Sequence, residues 1–82
     1  MDDRTIKSIY SHTLRNRQEV LASVNCGCIA CLCLFPASDV VAWADKGETA
    51  ICPFCGIDAV LGDATGWGIT PELLAELNEV YF

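Results

Sequence analysis

Six cysteines in 82 residues constrain this chain more than any other feature. Four lie in Cys26-Gly27-Cys28-Ile29-Ala30-Cys31-Leu32-Cys33 and two in Cys52-Pro53-Phe54-Cys55-Gly56. Within them Cys28-x2-Cys31 and Cys52-x2-Cys55 are separated by 20 residues, the spacing of a four-thiolate zinc site. Two residues between ligands let a tight turn aim both sulfurs at one ion. A glycine after the second cysteine lets the backbone fold close and point amide hydrogens at the thiolates. Gly56 meets that condition and Leu32 does not. Cys28, Cys31, Cys52 and Cys55 are therefore the expected ligands of one Zn²⁺ per chain. Cys26 and Cys33 remain as additional thiols, each near enough in sequence to replace a neighbour. As non-ligands they would behave as small buried hydrophobes.

The compartment decides between metal and disulfides. The amino terminus reads Met1-Asp2-Asp3-Arg4-Thr5, without the basic and apolar regions of a secretory signal. The apolar stretch from Cys26 to Ala37 contains a proline and is shorter than the roughly 18 residues that span a bilayer. A cytoplasmic protein with no membrane partner is expected, and there closely spaced thiols hold metal. A chain of this length is one small domain, 1–82, whose core is marginal without a staple.

Residues 1–25 carry a net +1 and residues 26–82 a net −7. An acidic body repels phosphates, which argues against nucleic acid as a partner and favours a protein. From Arg4 to Val24 there is no Gly or Pro. Ile6, Ile9, Tyr10, Leu14, Val20, Leu21 and Val24 project into an arc of about 140°, an amphipathic helix over 4–24 that Gly27 would stop. Thr13 and Arg17 fall inside that stripe. A guanidinium there needs a partner, and an ion pair to Asp58 or Asp63 is the expected one.

A zinc-binding core over 26–62 follows. In it Ser38–Asp45 reads as a short helix, and Glu48–Ile51 as a strand whose return is Ile57–Leu61. The last helix, 70–81, has the clearest start: Thr70 as N-cap, Pro71 at the first turn, Glu72 at the positive dipole end, and Ile69 placed to staple Leu74. Its apolar face is Leu73, Leu74, Leu77, Val80 and Tyr81. The expected fold is α+β, a zinc-ribbon-like hairpin core with two knuckles, flanked by an N-terminal and a C-terminal helix.

Two other readings of the cysteines are weaker. Cys52-Pro53-Phe54-Cys55 resembles a glutaredoxin dithiol, but a turn and strand follow it where a helix should begin. The Cys-Pro-x-Cys-Gly segment also resembles rubredoxin, whose four thiolates hold iron and carry electrons. Against iron stand Leu32 in place of a glycine and the helical first quarter. His12 is the sole histidine and has no partners placed for a triad. A cysteine nucleophile at Cys26 or Cys33 would need it, and no catalytic residue or enzymatic activity is expected.

Ser11-His12, Asn16-Arg17, Cys26-Gly27-Cys28-x2-Cys31, Cys52-Pro53-x-Cys55-Gly56-Ile57-Asp58, Gly62-Asp63, Ile69-Thr70 and Tyr81-Phe82 together resemble a family of small bacterial proteins often labelled simply cytoplasmic protein. The resemblance runs from about Tyr10 to the end. It implies a zinc-ribbon-like domain with a helix on each side, and it brings no settled activity. It also implies that Arg17 and the acids after the second knuckle form one motif. The chain departs from the family pattern at Ile29-Ala30, where aromatic residues are usual, at the added Cys33, and at Tyr81, where Trp is usual. The expected function is a protein-binding adaptor or regulator built on structural zinc, with an inhibitor acting through the acidic surface as one form of it. A redox protein and a nucleic-acid-associated ribbon are the alternatives.

Overall fold

The computed structural model describes residues 2–82, an α+β arrangement of three helices and two small antiparallel sheets. The first helix, α1, spans Asp3–Ser11, and the Asp2 carboxylate caps it by accepting from the Thr5 N–H at 2.7 Å. Ile6 and Ile9 face the core.

The expected helix over 4–24 is broken in two. The second helix, α2, runs from Arg17 to Ala22, after a turn in which Arg15 has φ 48°. Three polar side chains explain the break, because each offers the backbone something other than a helical bond. Thr13 is buried and its hydroxyl donates to Tyr10 O at 2.8 Å. Asn16 is buried too, and its amide donates to Val60 O at 2.7 Å and accepts from Ala50 N at 3.0 Å. Thr49 Oγ1 accepts from Arg15 N, and Glu48 O from Arg17 N, both at 3.0 Å. The chain leaves the helix to serve strands more than thirty residues away.

The central strand of the larger sheet is β1, Asn25–Cys28. It pairs on one side with β2, Leu34–Pro36, in the register Cys26 with Phe35. Gly27 is therefore a strand residue, not a helix stop. A Cβ there would stand 2.8 Å from Leu74 Cδ1 and 2.9 Å from Ile69 Cγ2, so its bare backbone lets the last helix lie directly on the sheet.

Ser38–Asp45 is not a helix. A single 3₁₀ turn at Ala37–Asp39 gives way to β3, Trp43–Ala44, which forms a hairpin with β4, Thr49–Ala50. Val40 and Val41 are β-branched and suit extended chain. The hairpin turn is closed by Asp45, Lys46 and Gly47, all at positive φ. The strand that follows the second knuckle is β5, Val60–Gly62, and it does not return on β4 as expected. It pairs with the other edge of β1, Cys28 opposite Val60, because Val60 and Leu61 bury completely there.

The last helix, α3, covers Pro71–Tyr81 and starts as expected, with Thr70 Oγ1 accepting from Leu73 N at 3.2 Å. Leu73, Leu74 and Leu77 are buried, Tyr81 stacks on Tyr10 with ring centroids 3.7 Å apart, and Val80 is exposed. No helix among the described residues is long and apolar enough to cross a membrane.

The ion pair expected between Arg17 and Asp58 or Asp63 does not form among the described residues. Arg17 lies 4.8 Å over the Trp43 ring and donates from Nη1 to Gly47 O at 2.9 Å. The break before α2 turns it toward the β3–β4 hairpin. Asp58 is exposed, and Asp63 accepts from the Val24 and Asn25 N–H groups at 2.9 and 3.2 Å. A cation stacked on an indole and bonded to one carbonyl is satisfied without a carboxylate.

Candidate metal centre

The two CxxC segments fold alike. In the first, Ala30 N donates to Cys28 Sγ at 3.3 Å, Leu32 N to Cys28 O at 2.9 Å, and Cys28 N to Cys33 O at 3.0 Å. In the second, Phe54 N donates to Cys52 Sγ at 3.4 Å, Gly56 N to Cys52 O at 3.1 Å, and Cys52 N to Ile57 O at 3.0 Å. Cys55 N adds another N–H on Cys52 Sγ at 3.4 Å. The residue after each second cysteine takes a left-handed conformation, Gly56 at φ 76° and Leu32 at φ 64°. Leucine pays roughly 1–2 kcal/mol for that φ. The knuckle imposes the geometry on whatever residue stands there, so the missing glycine did not prevent a second knuckle.

β1 and β5 carry the knuckles to one place. Cys28 ends β1, and the chain between β4 and β5 contains Cys52 and Cys55. The sulfurs of Cys28, Cys31, Cys52 and Cys55 all lie within 4.8 Å of one another. Cys28 and Cys55 approach to 3.6 Å and Cys31 and Cys52 to 3.7 Å, and all are free thiols. A regular tetrahedron with metal–sulfur bonds of about 2.3 Å has sulfur–sulfur edges of about 3.8 Å. The four side chains thus form a group that can hold a metal ion with little movement.

Their ionisation is uneven. Burial pushes the Cys28 thiol up, and it raises Cys55 as well. Burial opposes ionisation of Cys31 too, but hydrogen bonds from the Cys33 backbone and thiol, and from Cys52 and Cys28, bring it down to about 7. Several thiolates this close repel one another unless a cation neutralises them, and a divalent ion is the charge such a donor set accepts.

The remaining two thiols differ from each other. Cys26 is fully buried in β1, and burial, then the Asp63 carboxylate, push it up to about 11. Cys33 is half-buried, and hydrogen bonding to Cys31 raises its thiol.

Two supporting residues escaped sequence reasoning. Asn78 of α3 donates to Ile29 O at 2.9 Å and Ala30 O at 3.3 Å, clamping the first knuckle from outside. The signal was its position, four residues after Leu74 and beside Leu77, on the buried side of α3. Asn16 holds β4 and β5, the strands on either side of the second knuckle. His12 Nδ1 pairs with Glu19 at 3.0 Å beside Ser11, Arg15 and Gln18, in a surface depression whose lining includes no cysteine.

Comparison with protein-family models, curated proteins and solved structures finds no match to this chain. What the centre does must be read from its own chemistry.

Proposed function

We propose that this is a structural-zinc protein of the zinc-ribbon type, in which one Zn²⁺ on Cys28, Cys31, Cys52 and Cys55 ties the two knuckles together, and that it acts as a protein-binding adaptor or regulator in the cytoplasm. The observation that carries the metal reading is the set of four sulfurs within 4.8 Å of one another, with backbone N–H groups on Cys28 and Cys52. Bound there, zinc supplies cross-linking and charge neutralisation. Four protein ligands leave no open position, which favours a structural over a catalytic role. Zinc binding to such a site is worth on the order of 10 kcal/mol and is coupled to folding, ample for a core this small.

The adaptor role is supported by the apolar side chains on and beside the knuckles. Leu32, Leu34, Phe54 and Ile57 are exposed, Phe54 to 63%, on a chain of net charge −6. An acidic molecule with a small apolar patch suits a basic protein partner. The resemblance of the sequence motifs to small bacterial zinc-ribbon-like proteins bears on the zinc-ribbon reading alone, since it brings no settled activity.

Iron is the second reading, favoured by one observation. Leu32 adopts the conformation a rubredoxin-type knuckle requires, which removes the sequence argument against iron.

Elemental analysis of untagged protein purified under reducing conditions, with thiol counting on the same sample, separates these readings. One zinc per chain, four protected thiols and loss of native circular dichroism in Cys52→Ser are expected. Iron with a visible absorption band moves the protein to electron transfer. Absence of retained metal, or a natively folded Cys52→Ser, overturns the structural-metal reading. For the adaptor role, a protein captured from the source lysate at physiological salt and lost with Phe54→Ser is expected. Capture unaffected by that variant, or a specific shift of labelled DNA or RNA, overturns it.

A further inference from the structure

The break between α1 and α2 brings together side chains that a continuous helix would hold apart. In an unbroken helix His12 and Glu19 would stand about 10 Å from each other along the axis. The turn around Arg15 redirects the chain, and His12 Nδ1 meets both Glu19 carboxylate oxygens, at 3.0 and 3.1 Å. An ionised carboxylate only accepts, so Nδ1 carries the hydrogen and Nε2 is left for another partner. The pair lies in an open depression of about 520 Å³ that Arg15 and Gln18 also line. Among the described residues neither the Arg15 guanidinium nor the Gln18 amide has a hydrogen-bond or ion-pair partner. The backbone beneath them is fixed, with Arg15 N on Thr49 Oγ1 at 3.0 Å and the neighbouring Asn16 amide bonded to β4 and β5. The titratable groups in the lining are His12, Arg15 and Glu19. Asp63, next to the lining residue Ala64, is bonded to the Val24 and Asn25 N–H groups. In a molecule of net charge −6, the one acid of this depression is engaged by the ring, which leaves a guanidinium, an amide and an imidazole edge for an oxyanion.

We propose that this depression binds a small phosphate monoester, with the Arg15 guanidinium and the Gln18 amide donating to phosphate oxygens and His12 Nε2 sharing a proton with the phosphate. The imidazole decides for phosphate. A phosphate monoester loses its second proton near the pH at which an ordinary imidazole ionises, so around neutrality one proton serves the bond from either side. A carboxylate is fully ionised there and has no hydrogen to give a neutral ring. Glu19 holds the ring by Nδ1, which fixes the edge that faces the ligand. Leu14 and Ala22 add apolar surface beside the donors, and the depression is larger than a phosphate group, so an organic portion of sugar size fits beside it. None of the cysteines takes part, so the site is independent of the metal centre.

His12 is the sole histidine, so its ring resonances in a proton NMR spectrum report on the site directly. The full chain as purified is titrated at fixed ionic strength with ribose 5-phosphate and, in parallel, with sodium chloride, acetate and a phosphoserine peptide. For ribose 5-phosphate a saturable shift with a Kd on the order of 1 mM is expected, with amide shifts confined to residues around the depression. Arg15→Met, whose side chain has no protein partner to lose, should fold as the parent by circular dichroism and bind about tenfold more weakly. His12→Phe, followed through the amide resonances, should weaken binding to a similar extent. Shifts no larger than sodium chloride gives, shifts centred on the knuckles, equal affinity for acetate, or undiminished binding by Arg15→Met overturns the proposal. So does a phosphoserine peptide bound about tenfold more tightly than the sugar phosphate, which would assign the depression to a protein partner.

Discussion

Replacing Asn16 with alanine should destabilise the protein by about 3 kcal/mol. The side chain is 4% exposed and bridges the two sheets, donating to Val60 O at 2.7 Å and accepting from Ala50 N at 3.0 Å. Alanine leaves a buried carbonyl and a buried N–H without partners, and each orphan costs about 1–3 kcal/mol. A chain of this length is stable by roughly 4–12 kcal/mol, so the loss is a large fraction of the whole. It corresponds to a fall in melting temperature on the order of 12–24 °C. Urea unfolding followed by tryptophan fluorescence and circular dichroism measures it, with free zinc buffered identically for both proteins because metal binding adds its own stability. Asn16→Asp sharpens the test. It keeps the acceptor for Ala50 N but turns an oxygen toward Val60 O, so as a buried carboxylate it should be worse than alanine at neutral pH. Protonated, its O–H can donate to Val60 O. The folded-state pKa is thereby raised above the unfolded value of about 3.9, and the deficit should shrink as pH falls toward that value. An Asn16→Ala protein within 0.5 kcal/mol of the parent at unchanged denaturant slope would refute the reasoning, since water would then replace both bonds at no cost.

Three further outcomes are expected. Gly56→Ala meets no atom within 4 Å but sits at φ 76°, so it should cost about 1–2 kcal/mol, whereas Gly68→Ala, equally open and without positive φ, should be neutral or stabilising by up to about 1 kcal/mol; chemical denaturation of the pair separates conformation from sterics. Asn78→Ala frees the first knuckle loop from α3 and should weaken metal affinity roughly tenfold, read by competition with a chelator. Arg17→Met keeps the side chain's length but loses the stack on Trp43 and the bond to Gly47 O; it should cost about 1–2 kcal/mol in urea unfolding, while Asp58→Asn should change stability by less than about 0.5 kcal/mol.

Short-range features were legible without coordinates. The CxxC spacings, the acidic body and the Thr70-Pro71 start of α3 each depend on residues within a few positions of one another. The structure brings the four expected cysteines together and starts α3 at Pro71. Leu32 was misjudged for a related reason. A turn closed by hydrogen bonds on both sides can hold a leucine at positive φ, which propensity alone argues against.

The rest depended on partners far along the chain. Helical periodicity continued through residues 12–16, yet Asn16 and Thr13 break the helix because backbone groups of β4, β5 and α1 need them more than the helix does. Strand pairing followed burial rather than sequence neighbourhood, so β5 chose β1 over β4 to bury Val60 and Leu61. Arg17 found an indole and a carbonyl in place of a carboxylate. Composition and spacing thus named the four cysteines expected to meet as a metal-binding group while leaving Cys26 and Cys33 as possible replacements. Which strands carry them, what braces them and that Cys26 and Cys33 stay outside the group followed from long-range hydrogen bonds and from packing, neither of which leaves a local pattern to read.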